Sequence, residues 1–194
     1  MSPPKGVPEP AFVALPELKG QNAMSELCVH LPDWITDRVR DDQKVYPTDG
    51  ERMEFVIELA RRNIKQDLGG PFGAAVFESD SGQIVSAGVN RVMPDNCSVL
   101  HAEIVAIMLA ERHRDNFTLN EPEAPTCELV TSCAPCAMCM GATVWSGVQR
   151  LVCGAREADA YEIGFDEGPK PHNWVEDLTS RGIEVVRDVR RQKA

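Results

Sequence analysis

Nowhere in the 194 residues does an apolar run reach the roughly 18 residues that a membrane-crossing helix requires. The opening Met-Ser-Pro-Pro-Lys lacks the apolar segment of a secretory signal, so nothing in the chain is expected to target a membrane. Basic charge is also scarce: 20 Lys and Arg stand against 30 Asp and Glu, a formal net charge of −10. That is opposite to the footprint of a phosphate-backbone binder, and the basic residues are scattered apart from the short run Arg187 to Lys193. A large nucleic acid is disfavoured as partner and a small neutral substrate fits better. No internal repeat is present. A paired set of cysteines is lacking too: the seven, at 28, 97, 127, 133, 136, 139 and 153, are odd in number and form no disulfide framework. Four of them fall between Cys127 and Cys139, which reads as reduced thiols, some of them metal ligands, in a cytoplasmic protein.

What is present is an ordinary globular composition, 43% hydrophobic and 26% charged, in a length that suits one domain. The first 32 residues hold six of the 14 prolines, so residues 1–47 read as an extended, non-catalytic N-terminal extension before a domain over 48–194. From Thr48-Asp49-Gly50 the spacing of Met53, Val56, Ile57, Ala60 and Ile64 predicts an amphipathic helix that Gly69-Gly70-Pro71 stops. The segments 74–78 and 84–89 flank Ser79-Asp80-Ser81-Gly82 and should pair as a hairpin. A helix over 101–113 should bury Ile104, Val105, Met108 and Leu109; a strand at 127–131, a helix at 136–148 and strands at 151–155 and 183–186 follow. Strands alternating with helices place the chain in the α/β class.

Two stretches carry the chemistry. His101-Ala102-Glu103 and Pro135-Cys136-Ala137-Met138-Cys139 each open a predicted helix, with Cys136 standing 35 positions after His101. Cys136 and Cys139 stand three apart, so on a first helical turn both sulfurs face one side and reach one ion. One imidazole and two thiolates make three ligands, and a zinc ion so held keeps a fourth tetrahedral position for water, where a closed structural site would use a fourth side chain. Zinc lowers the pKa of bound water from about 15.7 towards about 7, supplying hydroxide at neutral pH. Glu103, two residues from His101, lies near that water but outside the ligand set, and is placed to carry protons between that water and a substrate. Cys-x-x-Cys alone also occurs in redox pairs and in halves of structural zinc sites; His-x-Glu together with Pro-Cys-x-x-Cys is the signature of zinc nucleobase deaminases.

On these residues the chain resembles the cytidine-deaminase-like superfamily, and within it the small deaminases of guanine deaminase type that also accept the triazine ammeline. Pro71-Phe72-Gly73-Ala74-Ala75, Gly88-Val89-Asn90-Arg91, the two metal stretches, Gly141-Ala142, Trp145 and Gly164-Phe165-Asp166-Glu167-Gly168 fall in the expected order over roughly residues 50–187. The resemblance implies a three-layer α/β/α sandwich with a mixed five-stranded sheet, a homodimer, and hydrolysis of a cyclic amidine, guanine going to xanthine and ammonia. It implies zinc on His101, Cys136 and Cys139, with Glu103 as the catalytic proton shuttle. Asn90 would hydrogen-bond the ring, Phe72 and Trp145 would wall it, and Glu167 or Asp166 would meet the amino-bearing edge, because guanine presents N–H donors there. Two departures stand out: Ala134 replaces the glutamate common before the Pro-Cys pair, and the chain stops at Arg190-Arg191-Gln192-Lys193-Ala194, where relatives continue into a tail that helps cover the pocket.

Plainer readings stand beside these. Cys28, Cys97, Cys127 and Cys153 are simplest as apolar fillers, and Cys133 alone is near enough in sequence to complicate the metal set. His113 suits a helix C-terminus, and His30 and His172 carry no assignment. Trp145 and Phe72 could be core, and Glu167 and Asp166 solvated loop charges. The same zinc chemistry would serve a cytosine, cytidine or tRNA adenosine deaminase, and a non-catalytic zinc-stabilised binding module is the alternative from another class.

Overall fold

The computed structural model describes residues 29–40 and 44–194. Most of the proline-rich arm, with Cys28, lies outside the described residues. Part of the expected extension folds onto the domain: helix α1 (Asp33–Val39) buries Ile35 against the sheet, and Tyr46 joins the same core. Seven residues are too few for helical spacing to show in the sequence, and tertiary packing supplies the stability that so short a helix lacks.

Thr48 begins α2 (Asp49–Lys65) with a capping box. Glu51 N donates to Thr48 Oγ1 at 3.3 Å and Thr48 N donates to Glu51 Oε2 at 3.1 Å, which together satisfy two helix-end donors. Met53, Val56, Ile57 and Ala60 are buried as their spacing predicts, but Ile64 is 52% exposed; the buried stripe runs instead through Phe55, Leu59 and Asn63.

Strands β1 (Gly73–Glu78), β2 (Ile84–Val89), β3 (Cys127–Cys133), β4 (Arg150–Ala155) and β5 (Glu184–Val186) form one mixed sheet in the order β2-β1-β3-β4-β5. β1 is antiparallel to both neighbours, while β3, β4 and β5 run parallel. Side chains alternate across it: Ala75, Phe77, Val130 and Val152 meet α1 and α2 on one face. On the other, Ala74, Val76, Leu129 and Leu151 meet α3 (Ala102–Arg114) and α6 (Trp174–Ser180), with Met140, Ala142 and Val144 of α4 (Ala137–Ser146) packed at the margin. This is the three-layer α/β/α arrangement, with helices on both faces as parallel strands require.

The buried face of α3 differs from the one expected. Ala102, Glu103, Val105, Ala106, Ile107 and Ala110 are buried, whereas Met108 is exposed and Ile104 and Leu109 are half-buried. Small residues win because α3 lies almost on the backbone of β2: a Cβ at Gly88 would come within 2.3 Å of Ala102 O and 2.6 Å of Ala106 N. Ser86 Oγ donates to Ala106 O at 2.6 Å and fastens the same contact. Gly88→Ala is therefore expected to push the start of α3 off the sheet and to destabilise the domain by about 1–3 kcal/mol. Urea unfolding reads it, and a midpoint equal to the parent's would refute the close approach as a requirement.

The helices α5 (Glu157–Glu162) and α6 were not expected from the sequence. Neither exceeds seven residues, and α6 is held by the burial of Trp174 and Leu178, two anchors too few to show a period. Among the described residues no helix is long and apolar enough to cross a membrane.

Candidate active site

The sheet's polarity gathers the relevant residues at one edge. β1 begins there with Phe72 just ahead of Gly73, and antiparallel β2 ends there, so that Asn90 N donates to Phe72 O at 3.1 Å. β3 and β4 end there too, joined by Ala134 N donating to Ala155 O at 2.8 Å. From this edge α3 and α4 start, and their N-cap residues are His101 and Cys136. A crevice at the carboxyl ends of parallel strands is where open α/β sheets bind ligands.

His101, Cys136 and Cys139 present ligand atoms that all lie within 4.8 Å of one another, with Cys136 Sγ 3.5 Å from His101 Nδ1. Tetrahedral zinc with bonds of about 2.0 and 2.3 Å would separate such a nitrogen and sulfur by roughly 3.5 Å, so the donor set fits that ion in chemistry and in spacing. Both helices begin at the cluster, and the backbone N–H of Cys139 donates to the Cys136 sulfur, which favours negative charge there. Cys136 is brought down to about 4 by its hydrogen bond with Cys139, against burial, and by His101. The same bond and burial push Cys139 up, and the contact with Cys136 raises His101. Cys133 stands apart from the cluster: its Sγ donates to Arg156 O at 3.6 Å, and burial first, then Glu167 and Glu103, raise its thiol.

Glu103 occupies the first turn of α3 and is buried. Loss of solvent raises its carboxyl pKa most, with the Cys136 charge adding and its own backbone N–H and His101 opposing. A carboxyl whose charged form is disfavoured this way is better placed both to take and to return a proton.

Glu167 is only 6% exposed, yet its carboxylate makes no hydrogen bond or ion pair among the described residues. Burial and then the Cys136 charge raise it to about 7, with Lys170 opposing. Its backbone is fixed, because Glu167 O accepts from Ala137 N at 2.9 Å. Asp166 beside it is exposed and spends Oδ1 on Gly168 N at 2.8 Å, so it shapes the turn and leaves the inward position to Glu167. Asn90 is buried with Oδ1 anchored by Gly70 N at 3.4 Å and Val92 N at 3.3 Å, which leaves its Nδ2 to donate elsewhere.

Phe72 meets Phe165 edge to face, 4.8 Å between centroids. Trp145 does not join this wall. It is 84% exposed, because Cys139, Thr143 and Ser146 take the inward face of α4 and Trp145 falls on the opposite one. Phe165 was missed as a site residue although it sits in a glycine-bounded loop two residues before Glu167; Lys170 gives no signal in the sequence at all.

A metal-ready His-Cys-Cys trio at two helix N-termini, a buried carboxyl beside it and this sheet order define the class of zinc-dependent deaminases. The chain belongs to the family of the cytidine and deoxycytidylate deaminase zinc-binding region, whose model matches residues 47–155. It is 36% identical over 115 residues, 59% of this chain and 69% of the relative, to a guanine deaminase from Bacillus subtilis. The solved guanine deaminase from Nitrosomonas europaea is 48% identical, superposes with a TM-score of 0.82 and is matched over 86% of this chain and 91% of that one. A structure solved in complex with 2,6-diaminopurine is also 48% identical, with a TM-score of 0.83 over 86% of this chain and 87% of that one.

Proposed function

We propose that this protein hydrolyses guanine to xanthine and ammonia, with the triazine ammeline as a further substrate. The observation that carries the substrate is Glu167, a residue only 6% exposed whose carboxylate has no hydrogen-bond partner among the described residues, beside a metal-ready trio. Guanine offers N–H donors at N1 and N2, and a site built to pair them rejects rings that lack them far more strongly than an apolar pocket could. The likeness to two guanine deaminases supports the same choice.

In this reading His101, Cys136 and Cys139 hold zinc, and zinc when bound supplies the Lewis acidity that makes water a nucleophile at neutral pH. Glu103 takes a proton from the attacking water and delivers it to the ring nitrogen beside C2. A C–O bond forms at C2, the C–N bond to the exocyclic nitrogen breaks, and Glu103 passes the second proton to the departing ammonia. Asn90 donates from Nδ2 to the ring, and Phe72 with Phe165 covers its face.

Ammonia release from zinc-loaded protein, measured in parallel with guanine, ammeline, guanosine, adenine, cytosine and cytidine, tests the proposal. Guanine should lead the series; turnover of another base alone would keep the zinc chemistry and discard the Glu167 assignment.

The assembly we propose is a homodimer. Helix α4 contains no charged residue, Trp145 stands out from it, and the neighbouring loop presents Phe117, tied to α4 by Leu119 N donating to Ser146 O at 2.7 Å. Exposed large aromatics on an uncharged helix face are characteristic of an interface. Sedimentation equilibrium should give twice the chain mass of 21.4 kDa, and a monomer mass would overturn it. A cytoplasmic location belongs to the same proposal, supported by six free cysteines among the described residues and read by cell fractionation.

A further inference from the structure

Between α5 and α6 the chain passes through residues 163–173 without regular structure, and three contacts fasten this loop to the site. Glu167 O accepts from Ala137 N, Phe165 packs on Phe72, and Lys170 Nζ donates to Pro135 O at 2.8 Å. The lysine is the unusual member. Its side chain is 4% exposed, and lysine is almost never so buried unless paired. Its partner Glu157, at 2.7 Å, is itself 41% exposed, so a surface ion pair could have formed without burying the ammonium.

The three directions available to the ammonium are all used inside the protein: the Pro135 carbonyl, the Glu157 carboxylate and the face of buried Trp174, 4.5 Å from its centroid. Pro135 directly precedes Cys136, so the first of these contacts grips the turn that presents a metal-ready sulfur. Residues 166–170 are stiff in themselves. Lys170 N donates to Gly168 O at 2.8 Å, Gly168 N donates to Asp166 Oδ1 at 2.8 Å, and Gly168 takes the left-handed φ of 69° that this tight turn needs. Holding Lys170 against Pro135 therefore holds Glu167, three residues earlier, against the same turn.

We infer that Lys170 is a positioning residue: by clamping the Pro135 carbonyl it sets the Glu167 carboxylate in register with the metal-ready turn, so that a purine bound there meets it. Lys170 touches neither a metal-ready side chain nor the reacting atoms, and its effect passes wholly through Glu167. The inference rests on the substrate role proposed for Glu167.

A double-mutant cycle tests it on zinc-loaded protein with guanine, using the parent, Lys170→Met, Glu167→Gln and the double variant, with zinc per chain measured for each. Lys170→Met keeps the apolar stem and should raise KM about tenfold with kcat within about threefold of the parent and zinc content unchanged. The double variant should be no worse than Glu167→Gln alone within about twofold, because the two residues act as one unit. Lys170→Arg, which keeps charge and donors, should recover most of the loss. Should Lys170→Met lose the fold by circular dichroism, Lys170→Gln replaces it in the cycle with the same expectations. An unchanged KM, losses that multiply in the double variant, or zinc lost with Lys170→Met would each overturn the inference. A parent silent on guanine would instead overturn the substrate reading, and the inference with it.

Discussion

Glu103→Ala is expected to fold, to keep zinc and to lose guanine turnover by about 10²–10⁴-fold in kcat, the range that a general acid–base group supplies. The residue lies outside the trio whose ligand atoms converge, so removing it takes away no ligand. It does remove the only carboxyl on the first turn of α3, where the chain leaves His101. The deletion also relieves a buried acid, since burial is the main reason its pKa is raised. The variant should accordingly be no less stable than the parent, which separates a lost proton carrier from a lost fold. The raised pKa has a direction that can be checked. Glu103 must be deprotonated to accept the water's proton, so activity is lost as pH falls through a value above the ordinary glutamate range. That acid limb should be absent from the residual rate of the variant. Metal analysis, ammonia release and a pH profile measure all three, and a variant that deaminates guanine at the parent rate would refute the shuttle.

Much of this site could be read from the sequence because metal chemistry is local. His101-x-Glu103 and Cys136-x-x-Cys139 are fixed by helical spacing, and each falls at a helix start in the structure as that spacing requires. The hairpin and the parallel strands were legible because their apolar runs are bounded by turn residues. The sequence is silent where burial depends on distant partners. Nothing local distinguishes an inward tryptophan on α4 from an outward one, because that helix is apolar on every side and only packing chooses the face. Nothing in the run at 163–173 shows that Lys170 is buried, since its three partners come from 135, 157 and 174. Glu128 in β3 has the same character. Its carboxylate is fully buried between Arg52 at 2.8 Å and Arg150 at 2.6 Å, an arrangement that only the assembled α2, β3 and β4 produce.

Cys139→Ala is expected to abolish zinc retention and guanine turnover together. Cys139 is fully buried and its thiol pKa is pushed up, first by the bond with Cys136 and then by burial, so outside a metal complex this sulfur holds its proton. Only a cation at the trio makes it a thiolate, and losing it leaves one imidazole and one sulfur, too few to fix zinc with a single open position. Cys133 cannot substitute, because its Sγ is turned to Arg156 O and buried there. The stability of the parent should fall on chelation, since an ion that binds only the folded chain stabilises it by mass action. Cys139→Ala should show no such response: its melting temperature should be the same with and without chelator. A variant that still holds one zinc per chain and releases ammonia from guanine would mean that another group completes the site, and Cys139 would lose its assignment as a ligand. Retention of zinc without turnover would separate the two roles, leaving the trio as the metal's holder by two residues and Cys139 as the group that sets the geometry of the open position.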